Sequence, residues 1–187
     1  MPRLYLVRHG RAAASYGEHA DPGLDELGHR QAVATALRIA PHGPMAVLSS
    51  PLARAVETAA PLLARWPQVL LRIEPRVAEI PSPTELQGQP LAARGPWLGR
   101  VMAGCWRDQE AALRAWAADV VVCLLAAPAD AVIFSHFVAI NVATAAAEGS
   151  DRVIVFRPDN ASVTILDSDG RALRLIERGA EAQTLVN

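Results

Sequence analysis

The order of apolar runs predicts an α/β layered fold built on a mostly parallel sheet. Strand-like runs alternate with helical stretches along nearly the whole chain. The early runs are short and continuously apolar, the form of strands buried on both faces. Several of them end directly in a reactive residue, which is where open parallel sheets place their ligands.

Leu4–Val7 is the first strand and runs into Arg8-His9-Gly10. After a polar loop, Asp25 stands as an N-cap before a helix from Glu26 to about Ala40, with Leu24, Val33, Ala36, Leu37 and Ala40 available to pack. Met45–Ser49 reads as the second strand, and Pro51 at a helix N1 position opens Leu52–Leu63. Leu70–Ile73 is the third strand. From Pro81 to about Pro96 the pattern gives way to Pro, Gly, Ser and Gln, a loop-rich insertion after which regular signals resume. Glu110–Ala126 is a long helix, Ala131–Phe134 the fourth strand, and Val138–Ala147 the helix after it. Val153–Phe156 and Ser162–Asp167 follow as strands, and Asp169-Gly170 turns the chain into Leu173–Glu177.

A chain of 187 residues that is 51% apolar and 20% charged can bury a core in one domain, 1–187, with a modest insertion. The net charge of −1 gives no general attraction to nucleic acid or to an anionic membrane. All 18 basic residues are Arg, so any phosphate site here is built from guanidinium forks, His and backbone amides. Cys105 and Cys123 form no C-x-x-C and have no His cluster at metal spacing. They read as ordinary thiols. The N-terminus passes straight into a strand, and the apolar stretch Ala115–Ala129 is broken by Asp119, so a cytoplasmic protein is expected.

The chemistry lies at the strand ends. Arg8 and His9 follow the first strand, Ser49 and Ser50 close the second with Arg54 one turn on, Glu79 follows the third, and His136 the fourth. Phosphoryl transfer needs fixed donors around three equatorial oxygens, a nucleophile unprotonated near neutral pH, and a proton for the leaving oxygen. Arg8 and Arg54 supply forks, with His136 a further donor if protonated. A neutral imidazole held at its other nitrogen by a backbone carbonyl is such a nucleophile, and a carboxyl with a raised pKa is such an acid. Taken singly, each residue has a plainer reading. His136 fits a hydrogen-bonded core histidine, Arg54 a partner of Glu57 on its helix face, and Glu79 a solvated loop carboxylate. His19, His29 and His42 read as surface residues. The four Trp read mainly as packing, with Trp97 and Trp106 near the insertion as candidates to line a substrate mouth.

The stretches Leu4-Tyr5-Leu6-Val7-Arg8-His9-Gly10, Asp21-Pro22-Gly23-Leu24-Asp25-Glu26-Leu27-Gly28, Leu48-Ser49-Ser50-Pro51-Leu52-Ala53-Arg54-Ala55-Val56-Glu57-Thr58-Ala59, Phe134-Ser135-His136 and Asn160-Ala161-Ser162-Val163-Thr164 resemble the histidine phosphatase superfamily of phosphoglycerate mutase-like proteins. The resemblance implies a three-layer α/β/α sandwich with a short cap of about residues 80–115 over the strand ends. It implies that His9 is phosphorylated, that Arg8, Arg54 and His136 form the phosphate pocket, and that Glu79, or Glu85 in its place, is the proton donor. It implies no metal or other cofactor, and a phosphorylated small molecule as the substrate. Two departures stand out. Residues 11–15 (Arg-Ala-Ala-Ala-Ser) leave either Ser15 to replace an Asn contact to phosphate common among relatives, or that contact absent. Phe137 stands where many relatives have Gly, narrowing the approach or supplying an apolar wall. A phosphatase is expected, with a mutase, a phosphoprotein phosphatase or a non-catalytic phosphate-binding module as the alternatives.

Overall fold

The computed structural model describes residues 1–14, 19, 21–83, 86, 88–182. The candidate residues Ser15 and Glu85 lie outside them. A six-stranded sheet of β1 (Arg3–Arg8), β2 (Ala46–Ser49), β3 (Leu71–Ile73), β4 (Ala131–Ser135), β5 (Val163–Ser168) and β6 (Leu173–Glu177) has the order β3-β2-β4-β1-β5-β6. The pairings β3–β2, β2–β4 and β4–β1 are parallel, while β5 and β6 add antiparallel strands at one side.

Helices cover both faces, as a parallel sheet requires. Leu4, Leu6, Ile133 and Leu166 face α4 (Ala111–Leu125) and α5 (Phe137–Glu148). Tyr5, Val7, Val132 and Phe134 alternate to the opposite face, against α1 (Glu26–Ile39) and α2 (Ala53–Leu63). The three-layer sandwich is therefore present. Among the described residues, no helix is long and apolar enough to cross a membrane. Cys105 and Cys123 are both free, and burial pushes the Cys123 thiol up to about 11.

Asp25 caps α1, its Oδ1 accepting the Gly28 amide at 2.7 Å. The face that α1 buries differs from the expected one. Gly28, Ala32, Thr35, Ala36 and Ile39 turn inward, whereas Val33 and Leu37 face solvent. Small residues win because the helix lies against main chain: a Cβ on Gly28 would meet the Arg11 carbonyl oxygen at 2.1 Å, and one on Gly10 the Gly28 carbonyl oxygen at 2.6 Å. Pro51 is not at N1. The N-cap of α2 is Leu52 and its helix starts at Ala53, which puts Arg54 in its first turn.

Two further readings need correction. Val153–Phe156 is not a strand. Val153 and Phe156 are buried, so the apolar signal is real, but the segment's amides have other acceptors. Val153 donates to the Gly104 carbonyl, and Val155 and Phe156 both donate to the Asn141 Oδ1, at 2.9 and 3.1 Å. Within the insertion, α3 (Arg94–Ala103) carries Gly95, Pro96 and Gly99, a composition that argues against a helix. It forms because Trp97 and Val101, one turn apart, bury against Ile80, Leu113 and Phe137.

Asn141 is fully buried and replaces the ladder that this segment lacks. Asn141→Ala leaves two buried amides without an acceptor. Unfolding in urea is expected to show a loss of about 2–5 kcal/mol, and a loss below about 1 kcal/mol would mean that the amides find other partners.

Candidate functional site

The parallel register delivers the reactive residues together. Arg8 pairs with Ser135 and Ser49 with Phe134, so β1, β2 and β4 end at one level and release His9, Ser50 and His136 side by side. The main chain then ties the three exits to one another. His9 donates its amide to the Ser135 carbonyl, and Ser50 donates its amide to the Phe134 carbonyl, each at 3.0 Å. Ser135 Oγ donates to the Val77 carbonyl at 2.8 Å and holds the segment that leads to Glu79.

His9 is buried, and its Nδ1 donates to the Gly10 carbonyl at 2.7 Å. That bond places the ring proton on Nδ1 and leaves Nε2 as a lone pair. Arg54 Nε donates to this Nε2 at 3.3 Å. Burial first, then the Arg54 and Arg8 guanidinium charges, lower the His9 pKa to about 3. His9 is therefore a neutral imidazole throughout the physiological range. Its loop is held from both sides: Thr58 Oγ1 accepts the Gly10 amide, and the His9 carbonyl accepts from Asn160 Nδ2 and the Ala161 amide, both at 3.2 Å.

Two arginines flank this ring. Arg8 Nη1 donates to the Pro158 carbonyl at 2.8 Å, and its guanidinium lies 5.1 Å from the centroid of the Phe137 ring. Among the described residues, Arg8 Nε and His136 Nδ1 are buried with no hydrogen-bond partner. Unmet nitrogens at one edge of a sheet, beside two guanidinium groups, are what a bound oxyanion satisfies. Arg54 does not pair with Glu57. Its Nη1 lies 3.8 Å from Asp21 Oδ1, while Glu57 accepts the Leu24 amide at 2.6 Å.

His136 is fully buried, with Nε2 2.7 Å from Ser50 Oγ and its ring centroid 5.1 Å from that of His9. Burial, then His9, Arg54 and Arg8, hold it well below the ordinary histidine range. His136 was read as a donor if protonated, and beside two guanidinium groups that further cation is disfavoured. Glu79 sits at the start of α5, its Oε1 accepting the amides of Ile80 at 3.0 Å and Val138 at 3.2 Å. Removal from water raises its pKa, and this outweighs those two amides and the Arg54 and Arg8 charges.

Phe137 is interior, in one cluster with Trp97, Val101 and Ile80, so it fastens the cap to the site and offers no open apolar wall. Trp97 packs there too, and Trp106 lies 6.1 Å from the Trp116 ring. His19, His29 and His42 are exposed. The supporting roles of Thr58 and Asn160 had no sequence signal beyond their place in the quoted stretches, that of Pro158 had none, and that of Ser50 had only its place after the second strand, because each is a contact between distant segments. Among the described residues, no group of three or more His, Cys, Asp or Glu could hold a metal ion.

This geometry is suited to a tetrahedral oxyanion beside a neutral imidazole, with a carboxyl of raised pKa nearby. Similar proteins share the arrangement of the chain. The glucosyl-3-phosphoglycerate phosphatase of Mycobacterium tuberculosis (strain ATCC 25618 / H37Rv) is 33% identical over 121 residues, 63% of this chain and 48% of that protein. The chain spans about half the length of the curated relatives it matches. A solved structure of mycobacterial glucosyl-3-phosphoglycerate phosphatase in complex with VO3 superposes with a TM-score of 0.72 at 25% identity, covering 97% of this chain and 100% of that one. In fold alone, a putative α-ribazole-5′-P phosphatase from Escherichia coli K-12 is similar at a TM-score of 0.74 and 21% identity, covering 99% of this chain and 100% of that one. The profile of the histidine phosphatase superfamily (branch 1) runs from residue 4 to residue 180, and the chain belongs to that superfamily.

Proposed function

We propose that the protein is a phosphatase that hydrolyses phosphomonoesters of small molecules through a phosphohistidine on His9. The observation that carries this reading is the His9 ring itself: Nδ1 is tied to the Gly10 carbonyl and Nε2 is unprotonated between Arg8, Arg54 and His136. The phosphoryl oxygens take the guanidinium donors, which frees the Nε2 lone pair from Arg54. Nε2 attacks phosphorus, the P–O ester bond breaks, and Glu79 gives its proton to the leaving oxygen. Attack leaves the ring positively charged, and the Gly10 carbonyl supports it through Nδ1–H. Water then attacks the phosphohistidine, the Glu79 carboxylate takes a proton from it, the P–N bond breaks, and His9 returns to its neutral form.

Membership of the superfamily and the names of its relatives support a phosphorylated metabolite as substrate. Glucosyl-3-phosphoglycerate, which gives one relative its name, is the first compound to test. Hydrolysis of para-nitrophenyl phosphate in excess EDTA is expected across about pH 5–8, where His9 is neutral and a raised carboxyl titrates. Folded protein that turns over neither compound would count against the proposal.

His9→Ala is expected to lower turnover at least about 10³-fold while phosphate still binds, because both guanidinium groups remain; calorimetry with inorganic phosphate reads the second half. Retained turnover in that variant would exclude the phosphohistidine. Glu79→Gln separates by leaving group. In kcat/KM, which reads phosphoryl transfer to His9 and not the later water step, the loss should be about 10²–10⁴-fold for alkyl phosphates and far smaller for para-nitrophenyl phosphate, whose leaving oxygen needs no proton. The raised pKa of Glu79 sets the sign of the pH effect: the acid form is lost as pH rises, so alkyl phosphate turnover in the native protein falls on the alkaline side. Glu79→Gln should flatten that limb. Equal losses on both substrate types would remove Glu79 from the acid role.

A further inference from the structure

We infer that Ser50 is a positioning residue that fixes His136 in its Nδ1–H tautomer, so that a neutral ring donates a hydrogen bond to the transferring phosphoryl group. The catalytic half of this inference rests on the phosphatase reading above; the tautomer itself does not.

In a place without water, each buried donor and acceptor needs a partner within the protein. Ser50 is fully buried directly after β2. Its main chain is committed, the amide donating to the Phe134 carbonyl and the carbonyl accepting from Ser49 Oγ at 2.9 Å. Its Oγ accepts the Leu52 amide at 3.2 Å and lies 2.7 Å from His136 Nε2. The hydroxyl has one proton to place.

Suppose first that His136 carries its proton on Nε2 and donates to Oγ. The hydroxyl proton then has no acceptor among the described residues, and Nδ1, which is buried and unpartnered, becomes a bare lone pair. Two groups are left unmet. An imidazolium again strands the hydroxyl proton, and it sets a third cation among Arg8, Arg54 and the His9 ring. Now let Ser50 Oγ–H donate to Nε2. The hydroxyl, the Leu52 amide and Nε2 are all satisfied, and one group alone stays open: an Nδ1–H donor. The network selects this state.

That remaining donor has a use. A phosphoryl group presents acceptors only, so an Nδ1–H attracts it where a bare nitrogen would repel it. The His136 ring stands 5.1 Å from the His9 ring, so a phosphoryl group carried on His9 would bring the oxygens that gain charge during transfer near it. A neutral donor contributes here at any pH at which the ring stays uncharged, and leaves the positive charge to the two guanidinium groups. Backbone pairing explains why Ser50 can do this. Its amide bond to Phe134, two residues before His136, holds the two strand exits opposite each other.

The test is histidine ¹⁵N labelling of the full chain, with long-range ¹H–¹⁵N correlation near neutral pH. His136→Gln identifies the signal by its loss. The native protein is expected to show a neutral His136 with Nδ1 protonated and Nε2 bare. An Nε2–H ring or an imidazolium would overturn the inference, and this measurement needs no Ser50 variant to fold. In folded Ser50→Ala the ring should move to Nε2–H or to a mixture of tautomers. The kcat/KM for para-nitrophenyl phosphate should fall about tenfold. A Ser50→Ala protein that keeps the Nδ1–H tautomer, or one that loses it with undiminished kcat/KM, would also overturn it. Failure of the phosphatase reading looks different, since native protein would then hydrolyse no phosphomonoester although its His136 tautomer is as stated.

Discussion

The hydrogen bond from His9 Nδ1 to the Gly10 carbonyl, 2.7 Å long, fixes the ring and leaves its Nε2 as a directed lone pair, and much of the surrounding structure serves to hold that one bond. A histidine side chain reaching its neighbour's carbonyl needs the loop in a single conformation. Gly10 is gripped by Thr58 through its amide, and the His9 carbonyl is gripped by Asn160 and Ala161. Thr58 in turn donates to the Arg54 carbonyl at 2.6 Å, so the arginine and the loop are fixed through one hydroxyl. Ala161 takes a positive φ of 55°, unusual for a residue with a side chain, and its carbonyl accepts from Thr35 of α1 at 2.7 Å. Strain of this kind persists only where neighbours over-determine it, and here it brings the chain back under His9.

Close packing of main chain on main chain is the second constraint. α1 meets the His9 loop with Gly28 against Gly10 and Arg11, with no room for a Cβ on either glycine. This contact sets the small-residue face of α1 and sends Val33 and Leu37 outward. Helix propensity and amphipathicity would choose otherwise. The close approach of a helix terminus to the His9 loop overrides them.

The electrostatics follow from crowding. Two guanidinium groups, two imidazoles and a carboxyl share one site largely withdrawn from water. Arginines keep their charge under such conditions, so the more easily titrated groups yield: both histidines become neutral and Glu79 holds its proton more tightly. The same burial that keeps both imidazoles neutral thus raises the Glu79 carboxyl, while the guanidinium groups stay as fixed cations. Phe137 extends the arrangement outward, its buried ring meeting the Arg8 guanidinium and the apolar residues of the cap.

Six strands, their alternation with helices and the reactive residues that leave β1, β2 and β4 are legible in the sequence alone. Those features are local. Continuous apolar runs specify buried parallel strands, and the residue after a strand lies at the sheet edge whatever the rest of the chain does. Arg8, His9 and His136 were legible for that reason, Arg54 through the stretch that opens α2 and Glu79 through its segment after β3, and the structure brings the five to one edge. The tertiary structure alone decided how they are used. The neutral state of His136 depends on burial beside two arginines and His9. The partner of its Nε2 is Ser50, 86 residues away in the chain. The segment Val153–Phe156 reads as a strand by pattern, yet a side chain from α5 takes its amides. α3 forms against its Gly and Pro content because Trp97 and Val101 find an apolar surface. In each case the deciding partner is remote in sequence, and desolvation and hydrogen-bond satisfaction exist only once the chain has closed on itself.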